Sequence, residues 1–256
     1  MAGLNAHSVL VTGSNRGIGL GLVKHFLGKP DPPEWIFGAC RDPEGTRAQE
    51  IKNLAAKHPN LVLVPLEVTD AASIKAAAKK VGEHLKGSGL NLLINNAGIG
   101  SHTTLDSANP EDMLTVYNTN LIGPMLVTQA FLPLLKKAAQ ASKQKGMSCS
   151  KAAVINISST LGSIQKVPEM FFLQMIAYRC SKAALNMLTK CQSLGYKEDG
   201  ILCAALCPGW VKTDATGDEA PLTVDQSVRG ILQMLTTLSE THTGTLVNWE
   251  GNTVPW

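Results

Sequence analysis

The chain has 256 residues, of which 44% are hydrophobic and 17% charged, with a formal net charge of +3. That apolar content excludes a disordered chain, and a charge so small and so scattered excludes a nucleic-acid footprint; Lys136-Lys137 and the lysines of 143–151 read as a solvated loop. A chain of this length buries ~70–75% of its extended surface and needs no disulfide or metal staple.

Six cysteines (Cys40, Cys149, Cys180, Cys191, Cys203, Cys207) form no C-x-x-C pair and no zinc spacing. They read as reduced, mostly buried thiols of a cytoplasmic protein. No run approaches the ~18 apolar residues of a membrane span, and the chain enters a strand almost at once instead of opening on a signal peptide.

Short apolar, β-branched runs alternate with amphipathic stretches along the whole sequence. The runs lie at 9–11, 35–40, 61–66, 90–95, 152–158, 201–207 and 245–248. Helical periodicity lies between them, at 17–27, 44–57, 71–85, 111–138, 176–197 and 223–238. Continuously hydrophobic strands are covered on both faces, so the alternation predicts an α/β fold: a doubly wound, Rossmann-type parallel sheet of about seven strands with helices on both faces. No linker or repeat divides residues 1–256, which predicts a single dinucleotide-binding domain.

The first strand runs into Thr12-Gly-Ser-Asn-Arg-Gly-Ile-Gly19 and then directly into a helix. Glycines at 13, 17 and 19 allow a tight turn and close approach to a ligand, and the helix start offers free N–H groups to a pyrophosphate. Asn15, Arg16 and Ile18 complete this candidate cradle. It is not a P-loop, because no Gly-Lys-Ser/Thr follows. The second strand ends at Cys40-Arg41, where an acid would select the bare ribose of NAD; Arg41, with Arg16, selects the 2′-phosphate of NADP instead. Asp42 is expected to point the other way.

Segments 140–151, 162–175 and 214–221 lack clear periodicity. The first reads as a surface loop. The other two follow the fifth and sixth strands, where an open parallel sheet places its ligand crevice, and are candidates for a substrate wall. Tyr178-Arg-Cys-Ser-Lys182 opens the fifth helical stretch. Residues four apart share a helical face, so the phenol and the ammonium reach a common site, and the cation is expected to lower the Tyr178 pKa. Cys180 is expected to pack on the opposite side of that helix.

Thr12–Gly19, Asn95-Asn-Ala-Gly98, Asn120, Asn156-Ile-Ser-Ser159, Tyr178-x-x-x-Lys182 and Pro208-Gly209 occur in the order and approximate spacing of the short-chain dehydrogenase/reductase family, which the chain resembles over essentially its whole length. Within the family it resembles carbonyl reductases of the sniffer type, on residues 15–22, Cys40-Arg41, 207–214 and 251–256. The resemblance implies NADPH-dependent reduction of a small ketone, aldehyde or quinone. Tyr178 would be the general acid, Lys182 would hold the nicotinamide ribose and tune Tyr178, Ser159 would hold the substrate oxygen, and Asn120 would anchor a relay water. Around the cofactor it places Asn95, Ala97 and Gly98 by the adenosine ribose, Val68 and the residue before it by adenine, Pro208 and Gly209 in the turn after the sixth strand, and Val211 and Thr213 by the carboxamide and pyrophosphate. In the family the helices matching 111–138 and 176–197 commonly form a dimer interface, whereas some carbonyl reductases with an enlarged loop before the tyrosine are monomeric; a homodimer is the expectation, with the monomer as its alternative.

Two departures from the family stand out. Glu67 occupies the position of the usual aspartate, so its adenine contact is either lost or made through a longer arm. Ser159 and Tyr178 lie 19 positions apart, wider than usual in the family, so the segment between them forms an enlarged loop. The six histidines show no metal or triad spacing, and Asn156-Ile-Ser-Ser159 is no G-x-S-x-G elbow. No metal is expected, and hydrolase chemistry is unsupported. The competing readings are an NADP-dependent alcohol dehydrogenase running toward the ketone and a noncatalytic NADP-binding redox sensor.

Overall fold

A computed structural model of the chain describes residues 3–256. The strands are β1 (Ser8–Thr12), β2 (Trp35–Cys40), β3 (Leu61–Pro65), β4 (Leu92–Asn95), β5 (Ala153–Ile157), β6 (Leu202–Cys207), β7 (Leu246–Asn248) and β8 (Thr253–Val254). The helices are α1 (Gly17–Leu27), α2 (Gln49–Lys57), α3 (Ala71–Leu85), α4 (Pro110–Tyr117), α5 (Gly123–Ala141), α6 (Val167–Met170), α7 (Ile176–Gly195) and α8 (Val224–Thr237).

One sheet runs in the order β3-β2-β1-β4-β5-β6-β7-β8. Its neighbours pair in parallel until β8 turns back antiparallel on β7. This is the predicted doubly wound architecture with one strand more than expected. β8 is two residues long, too short to leave a periodic signal.

The strand pleat sends alternate residues to opposite faces. Val9 and Val11 join Phe26 of α1 and Ile231 of α8 in one apolar layer. Leu10 joins Ile74 of α3 and Phe131 of α5 in the other. Since β1, β5 and β6 are buried along their whole length, their sequences read as unbroken hydrophobic runs. Among the described residues, no helix is long and apolar enough to cross a membrane.

The stretch expected as one helix over 111–138 is α4, a π-turn at Asn118–Ile122, and α5. Asn109 caps its start by accepting from the Asp112 amide at 2.9 Å, which sets the first helical residue, Pro110, one position ahead of the expected boundary. The wide π-turn places Asn120 inward and fully buried. Residues 162–175, which carried no periodicity, contain the single turn of α6.

Polar side chains knit the middle of the sheet to its helices. Asn95 Nδ2 donates to Asn156 Oδ1 at 2.9 Å and to Thr128 Oγ1 at 3.1 Å. Asn156 Nδ2 donates to Thr189 Oγ1 and Gln192 Oε1, both at 2.9 Å. These groups are buried, so removing one strands the others without water. Asn156→Ala is expected to lower stability by about 2–4 kcal/mol, read as a drop of several degrees in thermal melting.

Candidate active site

The strand order reverses between β1 and β4, and chains that leave such a switch point on opposite sides open a crevice at the carboxyl ends of the strands. A crevice of about 790 Å³ lies there. Its floor is the glycine turn, in which Gly13 and Gly17 adopt φ of 63° and 53°, values that side chains strongly disfavour. Ala97 Cα lies 3.0 Å from where a Cβ on Gly13 would stand.

Helix α1 opens this floor with no side-chain cap and no acid in its first turn. Its free N–H groups and positive dipole therefore face the crevice, an arrangement suited to an anion. The turn is held by Asn96, whose Nδ2 donates to Thr12 O at 2.9 Å, and by Thr12 Oγ1, which accepts from the Asn96 and Ala97 amides at 2.9 and 3.0 Å.

Of the residues assigned to a cofactor from sequence, Gly13, Asn15, Arg16, Gly17, Ile18, Arg41, Glu67, Val68, Ala97, Gly98 and Thr213 line the crevice. Gly19 lies beneath it, buried against the Gly13 carbonyl. Asn95 is a correction. Its side chain turns into the buried network described above, and its neighbour Asn96, which sequence reasoning missed, lines the crevice instead. The strand pleat is the reason, since successive residues face opposite ways.

Asp42 is a second correction. β2 ends at Cys40, so strand alternation no longer governs Asp42, and it lines the crevice beside Arg41 with Oδ1 accepting from the Glu44 amide at 3.1 Å. Arg16 and Arg41 each have an acidic neighbour: Arg16 Nη1 is 3.2 Å from Asp214 and Arg41 Nε is 3.6 Å from Glu67. Glu67 Oε1 also accepts from the Thr69 amide and hydroxyl at 3.1 and 3.0 Å.

Ser159 lies two residues past β5, where it caps a 3₁₀ turn at Thr160–Gly162 by accepting from the Leu161 amide at 3.1 Å. Tyr178 and Lys182 sit one turn apart on α7, with Lys182 Nζ 5.6 Å from the Tyr178 ring centre. Lys182 Nζ donates to the Ile157 carbonyl at 2.7 Å. It also comes within 3.8 Å of where a Cβ on Gly98 would stand, which ties this group to the crevice wall. Burial pushes the Tyr178 hydroxyl up to about 12, the nearby Cys207 sulfur adds to the rise, and a hydrogen bond with Ser159 opposes it.

The expected lowering of the Tyr178 pKa is therefore corrected: desolvation is the largest cause and sets the direction. The same burial lowers Lys182 to about 8. Cys207, unassigned from sequence, abuts this group and accepts at Sγ from the Thr160 amide and hydroxyl at 3.2 Å. Only its place at the end of β6 could have flagged it.

Asn120 bonds both backbone and helix. Its Oδ1 accepts from the Ile99 amide at 2.9 Å, and its Nδ2 donates to the Ile99 carbonyl at 2.9 Å and to Ser181 Oγ at 3.0 Å. Ser181 Oγ in turn donates to the Tyr178 carbonyl at 2.7 Å. Val211 and Pro208 are buried outside the crevice lining, and Gly209 shapes the turn at a φ of 84°. Cys180, expected to pack, is exposed on α7.

The family profile described as short chain dehydrogenase matches residues 7–221. The NADPH-bound carbonyl reductase from chicken fatty liver shares 62% identity and superposes with a TM-score of 0.94, covering 99% of this chain and all of its own. The carbonyl reductase Sniffer of D. melanogaster shares 40% identity at a TM-score of 0.94, covering 98% of this chain and all of its own. Among curated proteins, the short-chain dehydrogenase srdF of Neurospora crassa is 31% identical over 273 residues, spanning the full length of both chains.

Proposed function

Because the chain belongs to the short-chain dehydrogenase family, we propose that it reduces a carbonyl compound to the alcohol with NADPH, and that Tyr178 supplies the proton. One observation carries the reading: Tyr178, hydrogen-bonded by Ser159, and Lys182 sit one turn apart on α7, with the ammonium 5.6 Å from the phenol ring centre and close to Gly98 of the crevice wall. A phenol held up to about 12 stays protonated at neutral pH. The proton that the carbonyl oxygen must receive is therefore already on the phenol.

When bound, NADPH supplies a hydride to the carbonyl carbon. In this chain the uncapped start of α1 with Gly13, Asn15, Gly17 and Ile18 would hold the pyrophosphate, and Thr213 would close over it. Arg16 and Arg41 would take the 2′-phosphate, Glu67 and Val68 would border the adenine, and Ala97 and Gly98 the riboses. Lys182 would hold the nicotinamide ribose. Ser159 would hold the carbonyl oxygen against the Tyr178 hydroxyl, which passes its proton to that oxygen. Asn120 would serve the site through the Ser181–Tyr178 turn that it fixes. Consumption of NADPH with a panel of quinones, dicarbonyls and lipid aldehydes tests the reading; binding of NADPH without turnover of any of them would favour the redox-sensor alternative.

Cofactor choice follows from the two cations. The Arg16–Asp214 and Arg41–Glu67 pairs are solvent-exposed, and such pairs are worth only about 0–1 kcal/mol. A phosphate making charge-assisted hydrogen bonds outcompetes them. NADPH is expected to be preferred over NADH by at least about tenfold, or ~1.4 kcal/mol, and Arg41→Ala should erase most of that preference. The check is kcat/KM with each cofactor; equal values in the unmodified protein would refute it.

A further inference from the structure

The segment between Ser159 and Tyr178 closes on an arginine that the proposed reaction does not use. Arg179 follows Tyr178 on α7 and is 7% exposed. Its guanidinium donates only to carbonyl oxygens. Nε is shared between Leu173 O at 3.0 Å and Gln174 O at 2.9 Å, Nη1 reaches Leu161 O at 3.3 Å, and Nη2 reaches Met170 O.

These four acceptors span the enlarged loop. Leu161 belongs to the turn that Ser159 caps, Met170 ends α6, and Leu173 and Gln174 lead into Tyr178's helix. The entry to that helix is itself a disfavoured conformation, because Met175 adopts a φ of 40° without being glycine, and such a residue persists only where its surroundings over-determine it. The Arg179 amide donates to Met175 O at 2.9 Å, so one residue grips the loop with both its backbone and its side chain. A buried charge held by carbonyl dipoles alone costs desolvation and needs a planar fork of fixed donors to satisfy it.

We propose that Arg179 is a positioning residue that draws the Ser159 turn and the loop before Tyr178 into one rigid unit, setting the Ser159–Tyr178 separation and the shape of the substrate wall. It rests on the reading of Ser159 and Tyr178 as the pair that faces the carbonyl. The glycine turn, Arg41 and Thr213 lie on other loops. Arg179 therefore acts on the carbonyl side of the site and leaves the residues proposed for the pyrophosphate and 2′-phosphate untouched.

The test compares the unmodified protein with Arg179→Lys, which keeps the charge but loses the fork, and with Arg179→Ala. Steady-state kinetics with NADPH and one quinone substrate are measured together with NADPH affinity by fluorescence and with melting curves. Both variants are expected to raise the KM for the quinone and to lower kcat, with kcat/KM down at least about tenfold, since misplacement by an ångström can cost 10²-fold. NADPH affinity should stay within twofold.

Should Arg179→Ala fail to fold, Arg179→Lys alone decides. A merely structural role would reduce the active fraction, lowering apparent kcat in step with folded protein while leaving the quinone KM unchanged, and that result overturns the inference. So would kinetics within twofold of the unmodified protein, or an equal loss of NADPH affinity. Absence of quinone reduction by the unmodified protein would instead count against the proposed function, so the two failures are distinguishable.

Discussion

Tyr178→Phe is expected to lower turnover by at least ~10²-fold, the low end for losing a general acid, while NADPH binding stays near that of the unmodified protein. The ring and its packing are retained, and only the hydroxyl that meets Ser159 is removed. The Lys182 donation to Ile157 O at 2.7 Å does not involve the phenol, so the ammonium keeps its place. Single-turnover rates and NADPH fluorescence titration, on protein shown folded by its melting curve, provide the check. Near-normal turnover would mean that another group supplies the proton.

The pH profile offers a second reading of the same pair. Tyr178, at about 12, keeps its proton across the working range. Lys182, at about 8, is charged below that pH and loses its charge as pH rises through it. The reduction rate should therefore be flat at lower pH and fall as pH climbs past about 8. Because these residues act as one unit, combined substitutions should cost less than the product of the single losses.

Gly19→Ala is expected to weaken NADPH binding by at least about tenfold and to lower stability by roughly 1–3 kcal/mol, the usual range for overpacking a closed site. A methyl at this position would strike the Gly13 carbonyl and come within 2.6 Å of Asn96 Nδ2. These atoms cannot give way cheaply. Asn96 Nδ2 bonds the Thr12 carbonyl, and Ala97 leaves no room for even a Cβ on Gly13, so any shift propagates into the floor that faces the phosphates. Isothermal titration with NADPH and thermal melting measure the two effects. Unaltered binding would mean that the turn does not hold the pyrophosphate.

Much of the architecture was readable before any coordinates, for reasons that differ by element. β1, β5 and β6 are covered on both faces, so burial alone makes their sequences continuously apolar. Helix α3 was legible to the residue, at Ala71–Leu85, because Asp70 caps it by accepting from the Ala72 amide at 2.9 Å and its buried stripe keeps helical spacing. The glycine turn and the shared helical face of Tyr178 and Lys182 were legible too, since a turn with positive φ and a helical i, i+4 pair are local properties of the chain.

Tertiary structure decided what depends on partners distant in sequence. Asn95 and Asn96 are chemically identical, and only the pairing of β4 with β1 and β5 sends the first into the Asn156 network and the second to the crevice. Strand alternation misjudged Asp42 because β2 stops at Cys40. The sign of the Tyr178 shift could not be read from a neighbouring lysine, because desolvation is set by everything packed around the phenol, and here it is the largest cause. The fourfold grip of Arg179 was likewise invisible, since its acceptors are backbone carbonyls, which every residue carries and no side-chain pattern distinguishes.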